Sequence, residues 1–321
     1  MTVEHLADER GQEKRLAGVV LANAPVSYGA FEITVGVDPN VPDPLTLLDW
    51  VSEAGYAGID LGPVGYLGTT ETLSGRLEDR ALALAGGYLE LPFSEPDRLP
   101  AALAALDELL DIFDSTGRGG RAPRPPRPTL ADAGSPVRSR YPGRAAIDPS
   151  VGLDDAGWNR FADGVARAVA RCRERGYEPT FHHHTATYIE AHWEIERLLE
   201  LTDVGICLDT GHLLLGRGEP VTAIREWAPR INQVHLKDAR MSRLEEIVAQ
   251  AAPVEEIWRR QAFCALGDGD IDIAGVLRSL AEIGYAGWLV VEQDVLPDPE
   301  HPGQPASDQR RNREYLRAHG L

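Results

Sequence analysis

The chain has 321 residues, a hydrophobic fraction of 43% and a formal net charge of −18, from 32 basic and 50 acidic residues. The length suits one large α/β domain, and the acid excess argues against a nucleic-acid-binding protein, which needs a basic surface. No apolar run reaches the roughly 18–20 residues of a membrane span, and residues 1–16 read as a flexible polar tail without a signal-peptide core. The three cysteines are widely spaced, which is typical of a reducing cytoplasm. We therefore expect a cytoplasmic protein that acts on a small molecule, with no nucleic-acid or membrane partner.

Short apolar runs alternate with amphipathic segments along the chain. The predicted strands cover residues 17–25, 56–62, 86–91, 128–134, 178–183, 204–208, 231–236 and 287–294. The predicted helices cover residues 45–55, 71–85, 100–113, 153–176, 190–200, 219–227, 267–287 and 307–318. Strands that are apolar on both faces indicate an all-parallel sheet covered by helices. The sequence therefore predicts an α/β fold, a single (β/α)8 TIM barrel over residues 17–321.

Two segments interrupt this alternation. Residues 115–128, STGRGGRAPRPPRP, consist largely of Gly, Pro and Arg, so they predict a mobile surface insertion, with a basic arm for an acidic partner as the alternative. Residues 241–261 predict an extra helical excursion after the seventh strand, interrupted at Pro253. Either segment could contribute a contact between subunits of a homo-oligomer.

Side chains suited to metal binding follow four consecutive predicted strands. They are His182, His183, His184, Asp209, His235 and Glu292. The carboxyl ends of all strands of a barrel meet at one mouth, and carboxylate with imidazole suits ions such as Mn²⁺, Co²⁺ or Mg²⁺. A single histidine after a strand is commonly structural, but ligands in four successive units are not easily dismissed. The pattern predicts a divalent-metal site built from Asp209, His235, Glu292 and one of the three histidines.

The three consecutive histidines cannot all face the mouth, because neighbours on a strand point to opposite sides. If His183 points inward, His182 and His184 point towards the helices unless the strand ends and twists there. His184 would then occupy the first loop position, within reach of a substrate. Metal affinity of a surface histidine run is the alternative interpretation.

Two further positions offer polar groups at the mouth. In Asp209-Thr210-Gly211-His212, the glycine allows a tight turn that brings His212 near Asp209. Lys237 shares a strand face with His235, and its charge suits a developing enolate oxygen or an ion pair with Asp238 or another mouth carboxylate. The sequence contains no phosphate-cradling, dinucleotide-binding or nucleophilic-serine motif.

Taken together, these segments resemble the xylose isomerase-like barrel superfamily and, within it, the inosose (2-keto-myo-inositol) dehydratases of inositol catabolism. Three of them are shared across the superfamily: CLDTGH (207–212), VHLKD (234–238) and VVEQD (290–294). Two others, NAPVSYGAFE (23–32) and HHHTATYIE (182–190), resemble the dehydratase branch more specifically.

The resemblance implies metal ligands at Asp209, His235 and Glu292, with His183 in the place of a fourth ligand that is usually Glu. Epimerases of the superfamily use two Glu ligands as a paired acid and base, so this replacement favours a one-base elimination. Asp60, where a Glu is expected, and the insertion at 115–128 also depart from the dehydratases, which leaves the substrate open.

The implied reaction is the elimination of water from a cyclic keto-polyol through an enediolate by a metal-dependent lyase. Mn²⁺ or Co²⁺ is the expected cofactor, with Mg²⁺ and Zn²⁺ as alternatives. Glu292 or His183 is the candidate base. The candidate acids for the departing hydroxyl are His184, His212 and Lys237. Candidate substrate contacts are Asn23, Tyr28, Glu32 and Tyr66, of which the two tyrosines could instead pack the loops.

Three other functions remain open. A metal-dependent sugar isomerase or epimerase, or a lyase acting on a 3-keto sugar or glycoside, could use the same centre. An endonuclease IV-like nuclease shares the implied fold, but the net charge of −18 argues against it. A metal-free binding barrel would not depend on Glu292 for any activity.

Overall fold

The computed structural model describes residues 16–116 and 123–321. Eight of the strands in these residues are parallel and form a barrel, which is closed because the first strand pairs with both the second and the last. The strands are β1 (Val20–Asn23), β2 (Gly58–Asp60), β3 (Ala83–Leu91), β4 (Arg127–Asp132), β5 (Thr180–His182), β6 (Gly205–Asp209), β7 (Ile231–Leu236), β8 (Asp238–Ala239), β9 (Phe263–Cys264) and β10 (Trp288–Val291). Only β8 and β9 lie outside the barrel, and the predicted TIM-barrel fold is confirmed.

The α-helices of the described residues follow the strands in the order expected of this fold. They are α1 (Pro44–Ala54), α2 (Leu73–Glu78), α3 (Leu99–Ser115), α4 (Pro136–Arg140), α5 (Asp155–Glu174), α6 (His192–Leu201), α7 (Thr210–Leu215), α8 (Pro220–Glu226), α9 (Met241–Ala249), α10 (Glu255–Arg259), α11 (Ile273–Glu282) and α12 (Gln304–Ala318). Within the described part of the chain, none of them combines the length and the apolarity that a membrane crossing requires.

Helix boundaries follow local signals where capping residues are present. The Asp43 carboxylate accepts hydrogen bonds from the backbone amides of Leu45 and Thr46, and Asp154 caps α5 in the same way through Gly157. At the other end of α1, Gly55 takes the left-handed conformation, with φ of 89°, and stops the helix.

Two helices are shorter than predicted. The second was expected over residues 71–85, but Ala81 has a positive φ of 55° that breaks the helix, and β3 starts at Ala83. The helix expected over 267–287 covers only Ile273–Glu282, because the amides of Gly267, Gly269 and Ile271 donate to the Asp238 carboxylate instead.

Alternation along the strands separates the core from the barrel interior. Phe181, Leu208 and Val234 are fully buried in the main hydrophobic cluster. Their neighbours His182, Asp209 and His235 point to the opposite side, as alternation requires, and Asp209 pairs directly with His235 across β6 and β7. The apolar contacts that hold each strand therefore also fix its polar residue at the mouth.

The predicted excursion after the seventh strand forms a small unit of its own. It consists of α9 and α10 between β8 and β9, which pair antiparallel. Its apolar residues pack with Leu215 of α7 in a cluster separate from the main core. The buried members are Leu215, Ala239, Leu244, Ile247, Ile257, Ala262 and Phe263.

Most of the predicted tail and residues 117–122 of the predicted insertion lie outside the described residues. Of the insertion at 115–128, residues 115–116 and 123–128 are described, and Ser115 ends α3 while Arg127 begins β4. There Arg124 donates a hydrogen bond to the carbonyl of Gly18 at 2.8 Å, and the carbonyl of Pro125 accepts one from the Trp288 indole at 3.0 Å. The carboxyl-terminal end of the insertion is thus attached to the barrel.

Candidate metal centre

Two histidines and two carboxylates meet at the carboxyl ends of neighbouring barrel strands. They are His182 at the end of β5, Asp209 at the end of β6, His235 in β7 and Glu292 directly after β10. Each offers a ligand atom within 4.8 Å of the others, and all four residues are at most 6% exposed. His182 Nε2 lies 3.4 Å from Asp209 Oδ2, and His235 Nδ1 lies 3.2 Å from Glu292 Oε2.

Several polar atoms of this cluster lack a hydrogen-bond partner among the described residues. They are Nδ1 of His182 and Nε2 of His235. Asp209 Oδ2 and His235 Nδ1 have only ion-pair neighbours, Lys237 Nζ at 3.3 Å and Glu292 Oε2 at 3.2 Å. Buried polar atoms are normally satisfied, because leaving them without a partner costs free energy. Two imidazoles and two carboxylates are a donor set that suits a divalent ion such as Mn²⁺, Co²⁺ or Zn²⁺. The residues present therefore fit the metal that the sequence predicts.

Both carboxylates of the cluster are held in the ionised form that metal binding requires. Burial alone would raise the pKa of each. For Asp209, Lys237 and the neighbouring histidines His212 and His182 together outweigh burial, and the pKa falls well below its usual value. For Glu292, His235 and Lys237 together lower the pKa to about 2.

The structure corrects the choice of histidine on β5. His183 was expected to face the cluster, but it is His182 that joins Asp209, His235 and Glu292. β5 ends at His182, which pairs with Cys207 of β6 and faces the barrel interior. His183 is fully buried on the other side, where its Nε2 accepts a hydrogen bond from the backbone amide of Asp209 at 3.2 Å. The two histidines do point to opposite sides of the strand, as alternation requires, but His182 faces the cluster and His183 does not.

Lys237 provides a buried cation beside the cluster. Its Nζ lies 2.7 Å from Asp294 Oδ1, 3.1 Å from Glu292 Oε2 and 3.3 Å from Asp209 Oδ2. The sequence left open whether Lys237 pairs with Asp238 or with another carboxylate at the mouth. The structure shows the second arrangement. Asp238 accepts backbone hydrogen bonds from residues 267–271 instead.

A second histidine pair lies next to Lys237. The rings of His184 and His212 are 3.9 Å apart, and His212 Nε2 lies 3.1 Å from Lys237 Nζ. His212 Nδ1 lies 2.9 Å from the hydroxyl oxygen of Thr185 and accepts a hydrogen bond from the backbone amide of Thr185 at 3.3 Å. His184, His212 and Asp294 could also group around an ion, but Lys237 already places a positive charge between His212 and Asp294.

The loop that carries His184 is held by a buried ionic network that the sequence does not reveal. Arg138 donates to both carboxylate oxygens of Glu194, at 3.0 and 2.9 Å, and lies 3.3 Å from Glu190 Oε2. Glu190 in turn accepts hydrogen bonds from the backbone amides of Ala186 and Gly143. Burial raises the pKa of Glu190 to about 7, although Arg138 opposes this shift.

Two more buried carboxylates end strands near the centre. Asp132, at the end of β4, accepts from the amides of Gly134 and Tyr188, each at 2.9 Å, and so ties the His184 loop to the barrel. Asp60 ends β2 with its Oδ2 unpartnered among the described residues, and burial raises its pKa to about 6. The charge of His235 lowers the pKa of Asp60 and that of Glu292 raises it, both by less than burial does.

The excursion after β7 covers one side of the centre. Phe263 of β9 has its ring centroid 4.9 Å from Lys237 Nζ and 4.9 Å from the His212 ring. The apolar ring excludes water from the lysine and favours its charge through a cation–π contact. Sequence patterns predicted the excursion but not this contact.

Three of the four predicted substrate contacts have structural partners instead. Asn23 is fully buried and donates to Val291 and Gln309, and Tyr66 donates to the carbonyl of Pro42 at 2.7 Å. Tyr28 is 2% exposed and stacks on Trp50. The contacts of Tyr28 and Tyr66 agree with the alternative interpretation, in which these side chains pack the loops. Glu32 alone remains exposed.

Fold and cluster together define a barrel enzyme with its site at the carboxyl face of the strands. A sequence model of the xylose isomerase-like TIM barrel family matches residues 48–319. The inosose dehydratase of Geobacillus kaustophilus (strain HTA426) is 30% identical over 297 residues, which cover 90% of this chain and 92% of that protein. The inosose dehydratase of Lacticaseibacillus casei is 32% identical over 162 residues, covering 50% of this chain and 54% of that protein. The chain belongs to the xylose isomerase-like TIM barrel family.

Solved structures share the fold at lower identity. An L-ribulose 3-epimerase has a TM-score of 0.62 at 17% identity and matches over 93% of both chains. The probable 3-DHS dehydratase AsbF from Bacillus anthracis has a TM-score of 0.63 at 13% identity, covering 93% of this chain and 98% of that one. These structures show the fold alone. The family match and the inosose dehydratase relative identify the protein as an enzyme of the dehydratase or sugar isomerase and epimerase type.

The two strand histidines should differ in their effect on metal affinity. We expect His182→Gln to weaken Mn²⁺ binding by more than the roughly 10–100-fold typical of an outer-shell change, and His183→Gln to stay within that range or below it. Calorimetric titration of chelator-treated protein measures both affinities, and thermal melting controls for folding. If His183→Gln lost more Mn²⁺ affinity than His182→Gln at an unchanged melting temperature, His183 rather than His182 would be the ligand.

Removing Arg138 should destabilise the fold, because two buried carboxylates would lose their counter-charge. We expect Arg138→Ala to lower the free energy of unfolding by about 3–5 kcal/mol. Arg144→Ala is the matched control, since Arg144 forms a solvent-exposed pair with Asp148 and should cost at most about 1 kcal/mol. Urea denaturation measures both, and equal effects would contradict the role given to the network.

Proposed function

We propose that the protein eliminates water from a cyclic keto-polyol with the help of a divalent ion held by His182, Asp209, His235 and Glu292. The observation that carries this proposal is the four-residue cluster, with its unpartnered buried nitrogen atoms beside Lys237. The substrate class follows from the inosose dehydratase of Geobacillus kaustophilus, which is 30% identical over nearly the whole chain.

Mn²⁺ or Co²⁺ suits the mixed imidazole and carboxylate set, and Mg²⁺ or Zn²⁺ is the alternative. When bound, the ion supplies a Lewis acid for a substrate carbonyl oxygen, which acidifies the neighbouring C–H bond. The remaining steps fall to side chains around the cluster.

Lys237 is proposed to stabilise negative charge as it develops on the substrate oxygen. Burial alone would lower the pKa of Lys237, but Asp209, Asp294 and Glu292 raise it well above its usual value. The side chain therefore stays protonated and fixed in place. Contact with Phe263 keeps water away from the charge, so that its field acts in a low-dielectric surrounding.

His184 is proposed to move the proton. It is half-buried, whereas His182, His183, His212 and His235 are buried. Its Nδ1 lies 2.9 Å from the carbonyl oxygen of Thr185 and donates there, which leaves the lone pair on Nε2. Burial, followed by His182 and Lys237, lowers the pKa of His184 to about 3, so the ring is neutral and its Nε2 lone pair is free.

In the proposed reaction, Nε2 of His184 takes the proton from the carbon next to the ketone, and the electron pair of that C–H bond moves into the carbonyl group to give an enolate. As the enolate re-forms the ketone, a carbon–carbon double bond forms and the C–O bond of the hydroxyl on the following carbon breaks. The same nitrogen donates its proton to that hydroxyl as the bond breaks, so that it leaves as water, and the enol that remains rearranges to a diketone. The candidate bases proposed from the sequence fit less well: His183 is bonded to the amide of Asp209, and Glu292 is held between His235 and Lys237.

The charges near the mouth favour a neutral, hydroxyl-rich substrate over a phosphorylated one. Tyr88 donates a hydrogen bond to the carboxylate of Glu90 at 2.9 Å. Burial raises the pKa of Tyr88 well above its usual value, and the charges of Glu90, Glu32 and Asp132 raise it further. The Tyr88 ring in turn is 5.9 Å from that of His184. Carboxylates accept hydrogen bonds from hydroxyl groups and repel phosphate.

We expect the purified protein to convert 2-keto-myo-inositol to a diketone in D₂O when loaded with Mn²⁺ or Co²⁺. Proton NMR, recorded after the ion has been removed from quenched samples, measures the product. EDTA added before the substrate should abolish the reaction, and a phosphorylated ketose should not react. Deuterium incorporation without loss of water would instead identify an isomerase or epimerase.

Changing His184 tests the proton-transfer step separately from metal binding. We expect His184→Gln to lower kcat by roughly 10²–10⁴-fold, the usual contribution of a general acid–base group, while Mn²⁺ affinity remains close to that of the unmodified protein. Steady-state kinetics and metal titration measure the two quantities. A loss of metal affinity equal to that of His182→Gln would show that His184 acts as a ligand rather than as the base.

A further inference from the structure

A buried thiol lies one layer below the carboxylates of the candidate metal centre. Cys207 and Asp209 are two residues apart on β6, so both side chains point into the barrel. Cys207 pairs in register with His182 on the neighbouring strand. The ligand atoms of His182, Cys207 and His235 all lie within 4.8 Å of one another, and the three residues are at most 3% exposed.

The two imidazoles of this group have unused nitrogens. His182 Nδ1 and both ring nitrogens of His235 lack a hydrogen-bond partner within the described residues. His235 approaches Glu292 through Nδ1, at 3.2 Å, and His182 approaches Asp209 through Nε2, at 3.4 Å. The remaining nitrogens, His182 Nδ1 and His235 Nε2, therefore have no hydrogen-bond partner among the described residues outside this group, in which the Cys207 thiol interacts with His235.

The chemistry of the group differs from that of the carboxylate set. Thiolate is a soft ligand that selects ions such as Zn²⁺ and Cd²⁺, whereas carboxylate favours Mn²⁺ and Mg²⁺. A tetrahedral ion with bonds of about 2.0–2.3 Å holds its ligand atoms roughly 3.5 Å apart. Small side-chain rotations would bring atoms already within 4.8 Å to that spacing.

We propose that His182, Cys207 and His235 form an alternative site for thiophilic divalent ions. An ion bound there replaces the thiol proton of Cys207, which leaves to solvent. Since both histidines belong also to the carboxylate set, the two sites exclude each other. Zn²⁺ or Cd²⁺ is therefore drawn deeper into the barrel, away from Glu292, and competes with Mn²⁺. The inference shares these two histidines with the proposed function but does not require the dehydration reaction.

The other two cysteines provide matched controls. Cys172 lies in α5 and Cys264 in β9, and both are buried, as Cys207 is. Neither belongs to a group of potential metal ligands in the described part of the chain. A thiolate signal that depends on Cys207 alone would thus locate the ion.

The test is a titration of chelator-treated, full-length protein with Cd²⁺, followed by the ultraviolet charge-transfer absorption of a cadmium thiolate. We expect one equivalent of Cd²⁺ to produce this absorption in the unmodified protein, in Cys172→Ser and in Cys264→Ser. Cys207→Ser should lack the absorption and bind Cd²⁺ about tenfold or more weakly, while its Mn²⁺ affinity stays within about threefold. Added Mn²⁺ should shift the Cd²⁺ titration to higher concentration.

Two outcomes would overturn the inference: tight Cd²⁺ binding to the unmodified protein without thiolate absorption, or the same absorption in Cys207→Ser. Cadmium-113 NMR of the unmodified protein gives a second reading that needs no variant, because thiolate ligation moves the resonance far from that of an ion bound only by nitrogen and oxygen. A thiolate signal without dehydratase activity would leave this site standing and contradict the proposed function alone.

Discussion

The buried charges at the barrel mouth impose the constraint on which the rest of the structure depends. Asp209 and Glu292 are ionised at almost no exposure, which is costly unless positive charge is close by. Lys237 supplies that charge on one side, and two histidines with unpartnered nitrogens face the carboxylates on the other. His235 contributes positive charge as well: burial lowers its pKa, but Cys207 and Glu292 raise it well above the usual value. The same requirement explains why Lys237 is covered by an aromatic ring.

Rigidity around the centre comes from loops that are tied to one another rather than to the ligands. Asp132 accepts backbone hydrogen bonds from its own loop and from the loop after β5, and Arg138 joins the same two regions through Glu190 and Glu194. The half-buried His184 therefore projects from a loop with several buried anchors. Such support is what a proton-transferring group needs, because its reach to substrate must be reproducible.

Which residues of a strand face the barrel interior is harder to predict from the sequence than the strand itself. Alternation correctly required that His182 and His183 point to opposite sides, but the choice between them depends on where β5 ends and how it pairs with β6. The first mouth loops show the same limit. Asn23 suggested a substrate contact from the sequence, yet its partner is Gln309, at the far end of the chain. Tyr66 likewise donates to Pro42, 24 residues away.

By itself, the sequence determined the barrel, the extra helices after β7 and three of the four residues in the cluster, Asp209, His235 and Glu292. These follow from signals that are local in the chain: apolar runs, capping residues and a polar residue at each strand end. Only the tertiary structure decided that His182 joins them, that Lys237 bridges three carboxylates and that Cys207 lies below the centre. Those facts depend on strand register and closure of the barrel, which bring together residues far apart in sequence. No local pattern encodes such distances.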